Sequence, residues 1–443
     1  MNFTELLTYD VKEHNWYDIE EPKGNVPNFW KSIWRCFVEV CNCSAIVYVL
    51  RNFTHPFYSK SPSLKHVVFV PITANNERVL APVWHNLAKG EYSILTPEMQ
   101  EYIPWQLVYF YSLLYILPLI RAYVRLTSQD KILMRANFDY FFLTIGYLKV
   151  VDDLLKHNEV RLIVLANDHS TFPRAIIRIA KERGIKTMYL QHCSVSESFP
   201  PLEFDYNLLD GEESYLKYRE ICIPQGETYL IGNPRFDEIS RYLRNTKKKI
   251  ETIGIALNTL DDESTIKRLC VKLRENGYKE ITIRPHPRQT LRGEWLSQRN
   301  VAFSDPTLEN PYAFISKMDV IIAGESGILL DAALMGVMAI SFNTRNTVPL
   351  DWYSYIKNGL IPYADTFEEL IAILHKDPSE WRLRVQKLTH WYNAAFNSPY
   401  EGHVGELVAD FIKHELSGNM NGFDVKYSFR MNEKFDCCVK EYK

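Results

Sequence analysis

The sequence RLIVLANDHSTFPRAIIRIAKERGIKTMYLQH, residues 161–192, indicates a strand, a helix and a second strand. RLIVLAND (Arg161–Asp168) begins with a continuous apolar run, which is typical of a strand buried on both faces of a parallel sheet. PRAIIRIAKERG (Pro173–Gly184) has proline near its start and glycine at its end, the pattern of a helix. KTMYLQH (Lys186–His192) is the next apolar run. Because the links are short, the stretch predicts a βαβ unit.

Similar strands and helices surround this unit on both sides. Further predicted strands of the same series are HVVFVPIT (His66–Thr73), FDYNLLDG (Phe204–Gly211) and TYLIGNP (Thr228–Pro234). A polar segment with three consecutive lysines, SRYLRNTKKKIET (Ser240–Thr252), separates this series from a second one. The strands of the second series are IGIAL (Ile253–Leu257), KEITIRPHP (Lys279–Pro287), DVIIAGES (Asp319–Ser326) and MAISFN (Met338–Asn343). Alternation of strands and helices predicts parallel sheets in both halves.

The length of the chain also favours two domains. A chain of 443 residues is too long for one ordinary hydrophobic core. The fold class is therefore predicted as α/β, with two Rossmann-like, doubly wound domains facing a cleft. The predicted domains cover residues 1–245 and 246–400. Residues 401–443 are predicted to form a helical tail that packs back on the N-terminal domain.

Composition narrows the classes of partner. The net charge is −3, so no overall positive field attracts nucleic acid, and no nucleic-acid partner is expected. The eight cysteines show no paired C-x-x-C spacing, so no metal site is expected. A reduced, cytoplasmic protein is the simplest interpretation of those cysteines, and the polar, acidic N-terminus does not resemble a signal peptide.

One apolar stretch allows two interpretations. QLVYFYSLLYILPLI (Gln106–Ile120) is fifteen residues long and contains Pro118, which is short for a membrane span. We favour a core helix for it on grounds of length. The alternative is a helix lying against the inner face of a membrane, because Tyr, Trp and Arg stand near its ends.

The segment RPHPR follows a predicted strand and combines charge with rigidity. It contains Arg284, His286 and Arg288, separated by two prolines that restrict the backbone. Ligands of open α/β sheets bind at the carboxyl ends of strands, and arginine binds phosphate as a planar fork. The segment therefore predicts a phosphate-binding turn. The alternative is a stiff connection with solvated arginines and a capped histidine.

A second candidate site follows the strand DVIIAG. Gly324, Glu325, Ser326 and Gly327 stand between this strand and a predicted helix. Small residues let the backbone approach a ligand, and a helix start offers free N–H groups to an anion. An ordinary helix cap at Ser326 is the alternative.

Two further strand ends carry polar side chains. Asn258 and Thr259 follow the strand IGIAL and are candidates for contact with phosphate or ribose, or else part of an ordinary loop. Asp168 follows RLIVLA, where a carboxylate facing the cleft is a candidate general base toward a hydroxyl. The alternative is that Asp168 caps the helix that begins near Pro173.

These motifs resemble a known family. RPHP after one strand, followed by GESGILLDAALMG, is similar to the donor-binding motifs of bacterial capsule and lipopolysaccharide glycosyltransferases with the GT-B fold. Sialyltransferases and polysialyltransferases, which carry a His-Pro motif and a Ser motif, are the most similar members. Teichoic-acid glycerophosphotransferases share the layout. The resemblance covers roughly residues 161–343.

The resemblance implies a role for several residues. His286 would contact the phosphate of a CMP-linked donor and assist its departure, Ser326 would contact the same phosphate, and Asp168 would be the base. The first domain would bind the acceptor and the second the nucleotide sugar. The chain departs from the family at Glu325-Ser326-Gly327, where a run of serines is usual, and at the arginines that flank the His-Pro motif.

The sequence thus predicts a metal-independent glycosyltransferase of GT-B type without a cofactor. Its partners would be a nucleotide-sugar donor, with a CMP-sugar favoured, and a surface polysaccharide or glycolipid acceptor. A UDP-sugar epimerase or a glycerophosphotransferase of similar fold is one alternative. A non-catalytic polysaccharide-binding or assembly protein is another.

Overall fold

Two separate sheets organise the chain. The computed structural model describes residues 3–11, 63–95, 105–197, 199–242, 249–287, 301–345, 347, 350–435 and 439–442. The first six strands are β1 (Val67–Val70), β2 (Tyr92–Ile94), β3 (Leu162–Leu165), β4 (Lys186–Leu190), β5 (Tyr206–Leu209) and β6 (Glu227–Leu230). They lie side by side in the order β6-β5-β4-β3-β1-β2, and neighbours run parallel.

The second sheet repeats the parallel arrangement. Its strands are β7 (Thr252–Ala256), β8 (Glu280–Arg284), β9 (Ala302–Phe303), β10 (Val320–Ala323), β11 (Met338–Phe342) and β12 (Tyr363–Ala364). Their order is β12-β11-β10-β7-β8-β9. In both sheets the inner strands are buried along almost their whole length, which explains their continuous apolar sequences.

Helices cover both sheets. Those before the second sheet are α1 (Phe3–Thr8), α2 (Ala74–Trp84), α3 (Trp105–Leu114), α4 (Leu117–Arg125), α5 (Ser128–Ala136), α6 (Phe138–Lys156), α7 (Thr171–Arg183) and α8 (Glu212–Ile221), followed by a 3₁₀ helix (Pro234–Arg241). Those of the second half are α9 (Glu263–Glu275), α10 (Pro311–Ser316), α11 (Ile328–Leu334), α12 (Phe367–Leu374) and α13 (Pro378–Tyr392). The predicted end of α7 is clear: Gly184 takes the left-handed conformation, φ 67°, that closes the helix.

The hydrophobic core is divided in the same way as the sheets. One buried cluster surrounds the first sheet and a second surrounds the second sheet. The chain returns from the second cluster to the first between Tyr392 and Val404, because Phe396 still belongs to the second cluster and Val404 belongs to the first. The predicted boundary at residue 245 lies outside the described residues.

The sequence predicted a helical C-terminal tail, but the tail is only partly helical. After α14 (Val404–Ser417) and α15 (Met420–Lys426) it forms two strands, β13 (Phe429–Met431) and β14 (Val439–Tyr442). β14 pairs parallel with β6, and β13 pairs antiparallel with β14, so the tail extends the first sheet. Strands of three and four residues are too short to show a periodicity in the sequence. Their place in the sheet also depends on β6, which lies about two hundred residues earlier in the chain.

The apolar stretch after residue 105 is only half a core element. It forms α3 and α4, which are bent by 58° at the break before Pro118. Among the described residues no single helix has the length and apolarity needed to cross a membrane, although this bent pair meets the criterion when taken together. One side of the pair is buried, but Phe110, Leu114 and Val124 are 56%, 56% and 69% exposed. The prediction of a core helix is therefore wrong for that outer side.

Candidate functional site

The strand orders place two crevices at the carboxyl ends of the sheets. In the first sheet the chain proceeds in opposite directions from the neighbouring strands β1 and β3, and in the second sheet from β7 and β10. Ligands of open α/β sheets bind where the strand order reverses in this way. Asp168 follows β3 at the first switch point. Asn258 follows β7, and Glu325 follows β10, at the second.

Asp168 is a buried carboxyl group without a close partner. It is only 1% exposed, and within the described part of the chain neither of its carboxylate oxygens has a hydrogen bond. The nearest basic side chains are those of Arg174 and His169, whose guanidinium and ring nitrogens each lie 3.9 Å from a carboxylate oxygen. Burial raises the pKa of Asp168 to about 7, against the opposing effect of the Arg174 cation. The group is therefore poised to gain or lose a proton near neutral pH.

Asp168 does not cap α7. The N-cap position of α7 belongs to Ser170, and the hydrogen bond from the His169 backbone N–H goes to the side chain of Asn167, at 2.8 Å. The capping alternative for Asp168 is therefore wrong, because Ser170 occupies the N-cap position and the carboxylate of Asp168 accepts no hydrogen bond in the described structure.

His169 lies beside Asp168, and His192 lies beside His169. The His169 ring lies 5.8 Å from the ring of His192, which follows β4, and 4.3 Å from that of Phe199. Burial lowers the pKa of His169 to about 4 and that of His192 to about 3. Both rings are therefore neutral at pH 7, and they act as polar walls and not as competing positive charges.

A hydrogen-bonded scaffold holds the ends of β4, β5 and β6 together. The Gln191 side chain accepts from the Asp210 backbone N–H at 2.9 Å. The Asn233 amide donates to the Gln191 carbonyl at 2.6 Å and to the Asp210 carboxylate at 2.8 Å. Burial raises the pKa of Asp210 to about 7, with nearby Arg235 opposing the shift. The segments that follow β4, β5 and β6 are thus fixed relative to one another.

At the second switch point hydrogen bonds link Asn258 to Glu325 and Glu325 to a neighbouring loop. The Asn258 amide donates to the Glu325 carbonyl oxygen at 2.9 Å, which ties the end of β7 to the end of β10. The Glu325 carboxylate in turn accepts from the Asp351 backbone N–H at 2.6 Å. Asp351 and Ser354 have φ values of 45° and 53°, so their loop is strained and depends on such contacts. Glu325 thus positions a loop, a role that its sequence did not indicate.

The two glycines of the Gly-Glu-Ser-Gly segment face different surroundings. A Cβ atom on Gly324 would lie 2.6 Å from Thr344 Oγ1 and 3.0 Å from Asp261 Oδ1. A Cβ on Gly327 would meet no heavy atom within 4 Å. Gly324 is therefore required by packing, whereas Gly327 borders open space. Ser326 between them is half-buried.

The RPHPR segment is only partly described. His286 is half-buried two residues beyond β8, and Arg288 lies outside the described residues. Arg284 is 5% exposed, and its guanidinium donates to Ser304 Oγ at 2.7 Å and to the Glu309 carbonyl at 2.8 Å. These contacts hold the end of β8 to the segment that follows β9, so Arg284 has a structural role that the sequence did not indicate. Its predicted phosphate contact stays a prediction.

Thr259 lies at the edge of the site. Its side chain is exposed and donates to the Asn258 side-chain oxygen at 3.3 Å. The same oxygen accepts from the Leu260 backbone N–H at 3.2 Å. Asn258 therefore organises its own loop, and its contact with a ligand stays a prediction.

Contacts between the two halves of the chain link the carboxyl ends of the strands of one sheet to those of the other. The hydroxyls of Ser194, which follows β4, and Tyr355 of the second half lie 2.5 Å apart. Arg235 Nη2 lies 3.7 Å from the Asp331 carboxylate on α11. The first contact joins the loop beyond His192 to the loop that Glu325 positions, and the second joins the segment after β6 to α11. The two switch points therefore face one cleft.

Sequence reasoning missed two arginines at this cleft. Arg345 follows β11 by three residues, and its Nη2 lies 3.8 Å from the Glu325 carboxylate. Arg235 follows β6 and is half-buried beside Asp331. Within the described residues, Arg345 Nη2 and Arg235 Nε have no hydrogen-bond acceptor. The rule that selects polar residues after strands applies to both and would have found them.

The described residues contain no group of three or more His, Cys, Asp or Glu side chains placed to hold a metal ion.

Comparisons with known proteins identify the fold. The sequence matches no family model and no curated protein. The calicheamicin glycosyltransferase CalG4 is similar in structure, with a TM-score of 0.51 at 11% identity over 80% of this chain and 98% of that one. The wall teichoic acid polymerase TagF matches with a TM-score of 0.49 at 12% identity over 88% of this chain and 98% of that one. UDP-GlcNAc 2-epimerase from Neisseria meningitidis, bound to UDP-GlcNAc, matches with a TM-score of 0.49 at 15% identity over 80% of this chain and 100% of that one.

The chain has the GT-B fold, with two Rossmann-like α/β domains. The predicted fold class is therefore confirmed.

Proposed function

We propose that this protein is a glycosyltransferase of GT-B type, which moves a sugar from a nucleotide-activated donor to a hydroxyl group of a glycan or glycolipid. The observation that carries the proposal is Asp168, a buried carboxyl group at the first switch point with a pKa of about 7. A general base works best when its pKa lies near the working pH. An ordinary exposed aspartate, with a pKa near 4, would be a weaker base.

The chemistry assigned to Asp168 is proton removal from the acceptor. As the acceptor oxygen attacks the anomeric carbon of the donor, its proton passes to a carboxylate oxygen of Asp168. The bond between the anomeric carbon and the donor phosphate oxygen breaks, and the nucleotide leaves with that electron pair. His169 and His192, which are neutral at pH 7, do not add positive charge that would hold Asp168 in its ionised form.

The donor is assigned to the second switch point. Open space beside Gly327 leaves room for a phosphate to approach the backbone. His286 is assigned to the leaving phosphate, with Ser326 beside it, as the resemblance to sialyltransferases implies. Arg345 has an unused donor group next to Glu325 in the described structure, and it is available to the developing negative charge.

The same resemblance favours a CMP-sugar, in a reaction of capsule or lipopolysaccharide synthesis on the cytoplasmic side of a membrane. Side chains, not a metal ion, would then stabilise the leaving group. We therefore expect turnover to stay within about twofold of its initial value when EDTA is added, a change of less than about 0.5 kcal/mol in the barrier. Loss of turnover that Mg²⁺ or Mn²⁺ restores would contradict a metal-independent reaction.

A nucleotide panel tests the proposed function. CMP, UDP, GDP and CDP-glycerol are added separately to the full chain, and the melting temperature is measured. A ligand at about a hundred times its dissociation constant adds roughly 2.7 kcal/mol of stability, so the recognised nucleotide stands out. The matching sugar nucleotide is then incubated with glycan acceptors, and released nucleotide and extended acceptor are measured together.

The outcomes separate the alternatives. Acceptor extension with equal release of nucleotide supports a glycosyltransferase. Interconversion of a UDP-sugar without any acceptor would indicate an epimerase, and transfer from CDP-glycerol would indicate a glycerophosphotransferase. Glycan binding without recognition of any nucleotide would indicate a non-catalytic binding protein.

A further inference from the structure

A row of apolar side chains lies exposed on the outer side of α3 and α4. We call this surface the apolar ridge. Six large side chains, each between 40% and 69% exposed, form the apolar ridge: Phe110, Leu113, Leu114, Leu117, Ile120 and Val124. Apart from the adjacent Leu113 and Leu114, successive members are three or four residues apart, so they share one side of the bent helix pair. Scattered single apolar residues are ordinary on protein surfaces, but a continuous row marks an interaction surface.

The opposite side of the helix pair faces the protein. Gly146 of α6 lies so close to α3 that a Cβ atom there would overlap the Val108 carbonyl. The Tyr109 ring lies 6.3 Å from that of Phe142 on α6. In α4, Pro118 and Leu119 are buried. Since these contacts seat the inner side on the first domain, the apolar ridge points away from it.

Basic side chains accompany the apolar ridge. Residues 105–136 contain four basic side chains and one acidic side chain, although the whole chain has a net charge of −3. Arg121 and Arg125 each follow a residue of the apolar ridge by one position in α4, and both are exposed. Lys131 on α5 lies 5.6 Å from the Tyr123 ring of α4, which places α5 and its charge beside the same helix.

We propose that the apolar ridge lies in the surface of a membrane that contains anionic lipids. Apolar side chains would enter the boundary of the acyl layer, while the neighbouring arginines would bind lipid phosphates. At ten and nine residues, α3 and α4 are each too short to span a bilayer, and the seating of their inner sides favours a position parallel to the surface. The local excess of positive charge favours a negatively charged layer over a second copy of this acidic chain.

This inference does not depend on the proposed chemistry. A surface contact of this kind brings the cleft close to lipid-linked molecules, but it would exist whether the chain transfers a sugar or only binds one. A negative glycosyltransferase assay would therefore not contradict membrane contact, and absence of membrane contact would not contradict glycosyltransferase activity.

Vesicle flotation tests the contact. The full chain is mixed with vesicles of phosphatidylcholine alone, or with about a third phosphatidylglycerol, and the fraction that floats is measured. We expect flotation with the anionic vesicles that decreases as salt is raised, because charge attraction is screened. Leu114→Asp and Val124→Asp should each weaken partitioning by about tenfold or more, since each replaces a membrane-buried apolar side chain by a charge.

The control is an exposed apolar residue elsewhere. Leu383 on α13 is 66% exposed, against 69% for Val124, so Leu383→Asp adds the same charge to a similar environment outside the apolar ridge. It should leave flotation unchanged. All three positions are exposed, and unchanged melting temperatures show that the variants fold. Arg125→Gln should weaken binding to anionic vesicles only.

Three results would overturn the proposal. One is no flotation with anionic vesicles. Another is flotation that Leu114→Asp and Val124→Asp leave unchanged. The third is a concentration-dependent dimer in sedimentation that Val124→Asp abolishes, together with no vesicle binding, which would assign the apolar ridge to a second copy of the chain.

Discussion

The Asp168 carboxyl group at the first switch point and the Asn258–Glu325 pair at the second are held in opposite ways. At the first, Asp168 is buried, and in the described structure its carboxylate makes no hydrogen bond, so its charged form is destabilised. At the second, the Asn258 amide donates to the Glu325 carbonyl oxygen, and the Glu325 carboxylate accepts from the Asp351 backbone N–H. The contrast separates two tasks. A group that must change its protonation state benefits from a poor environment for charge, whereas a group that shapes a pocket benefits from firm partners.

The largest effect is expected from removing the base at the first switch point. Asp168→Asn keeps the shape of the side chain but cannot accept the acceptor proton. We expect turnover to fall by about 10²–10⁴-fold, while nucleotide affinity stays close to that of the unchanged protein. Steady-state turnover and calorimetric titration of the nucleotide measure the two quantities. Equal loss of both would show that Asp168 serves the fold or the donor site.

The next effect concerns stability and pH. The folded pKa of Asp168 is about 7, above the value of about 4 expected when the chain is unfolded. The folded state therefore binds the extra proton between these values, and Asp168 makes the protein less stable as pH rises from about 4 to 7. Asp168→Asn removes this loss. The free energy of unfolding of the variant should exceed that of the unchanged protein by about 1 kcal/mol at pH 4.5, rising to about 4 kcal/mol at pH 8.

Denaturant unfolding at several pH values measures this gain, and Asp205 supplies a control of opposite sign. Burial raises the pKa of Asp205, but hydrogen bonds from Lys186 and Thr187 outweigh it and hold the pKa below its ordinary value. Asp205 therefore stabilises the fold above its unfolded pKa and loses this contribution as pH falls. The Asp205→Asn variant should therefore become less stable relative to the unchanged protein as pH rises. The same slope for both variants would contradict the contrast.

A pair of glycines tests the second switch point. Gly324→Ala should destabilise the protein by about 1–3 kcal/mol, because the new methyl group meets Thr344 and Asp261. Gly327→Ala meets only open space, so the melting temperature should hold or rise slightly. If a donor phosphate approaches the backbone there, Gly327→Ala should weaken nucleotide binding about tenfold, or about 1.4 kcal/mol. Unchanged binding would move the phosphate elsewhere.

The smallest effect is expected at Arg284. Lysine has one charged group in place of a fork, so Arg284→Lys should lose one of the contacts to Ser304 and Glu309. We expect a loss of stability of about 1–2 kcal/mol. Titration with a nucleotide and with its nucleoside decides whether the arginine also reaches phosphate. If Arg284→Lys weakens binding of the nucleotide, leaves binding of the nucleoside unchanged and does not alter stability, the result supports the phosphate-binding role.

Much of the fold was available from local sequence. Continuous apolar runs such as RLIVLA and DVIIA predicted buried parallel strands, and both are strands in the structure. The position of a polar residue after such a strand is also local information. It selected Asp168, Asn258 and Glu325, and it applies equally to Arg345, which was overlooked. These inferences succeed because strand burial and strand ends depend on a few neighbouring residues.

The tertiary structure decided what each of those residues does. Strand order, which joins segments far apart in the chain, put Asp168 at a switch point and Asn258 against Glu325. Burial by surrounding elements raised the pKa of Asp168 and turned Arg284 inward to Ser304. The exposed side of α3 and α4 likewise depends on which side α6 covers. Environment, partner and exposure are set by residues distant in sequence, and a short stretch of sequence does not contain them.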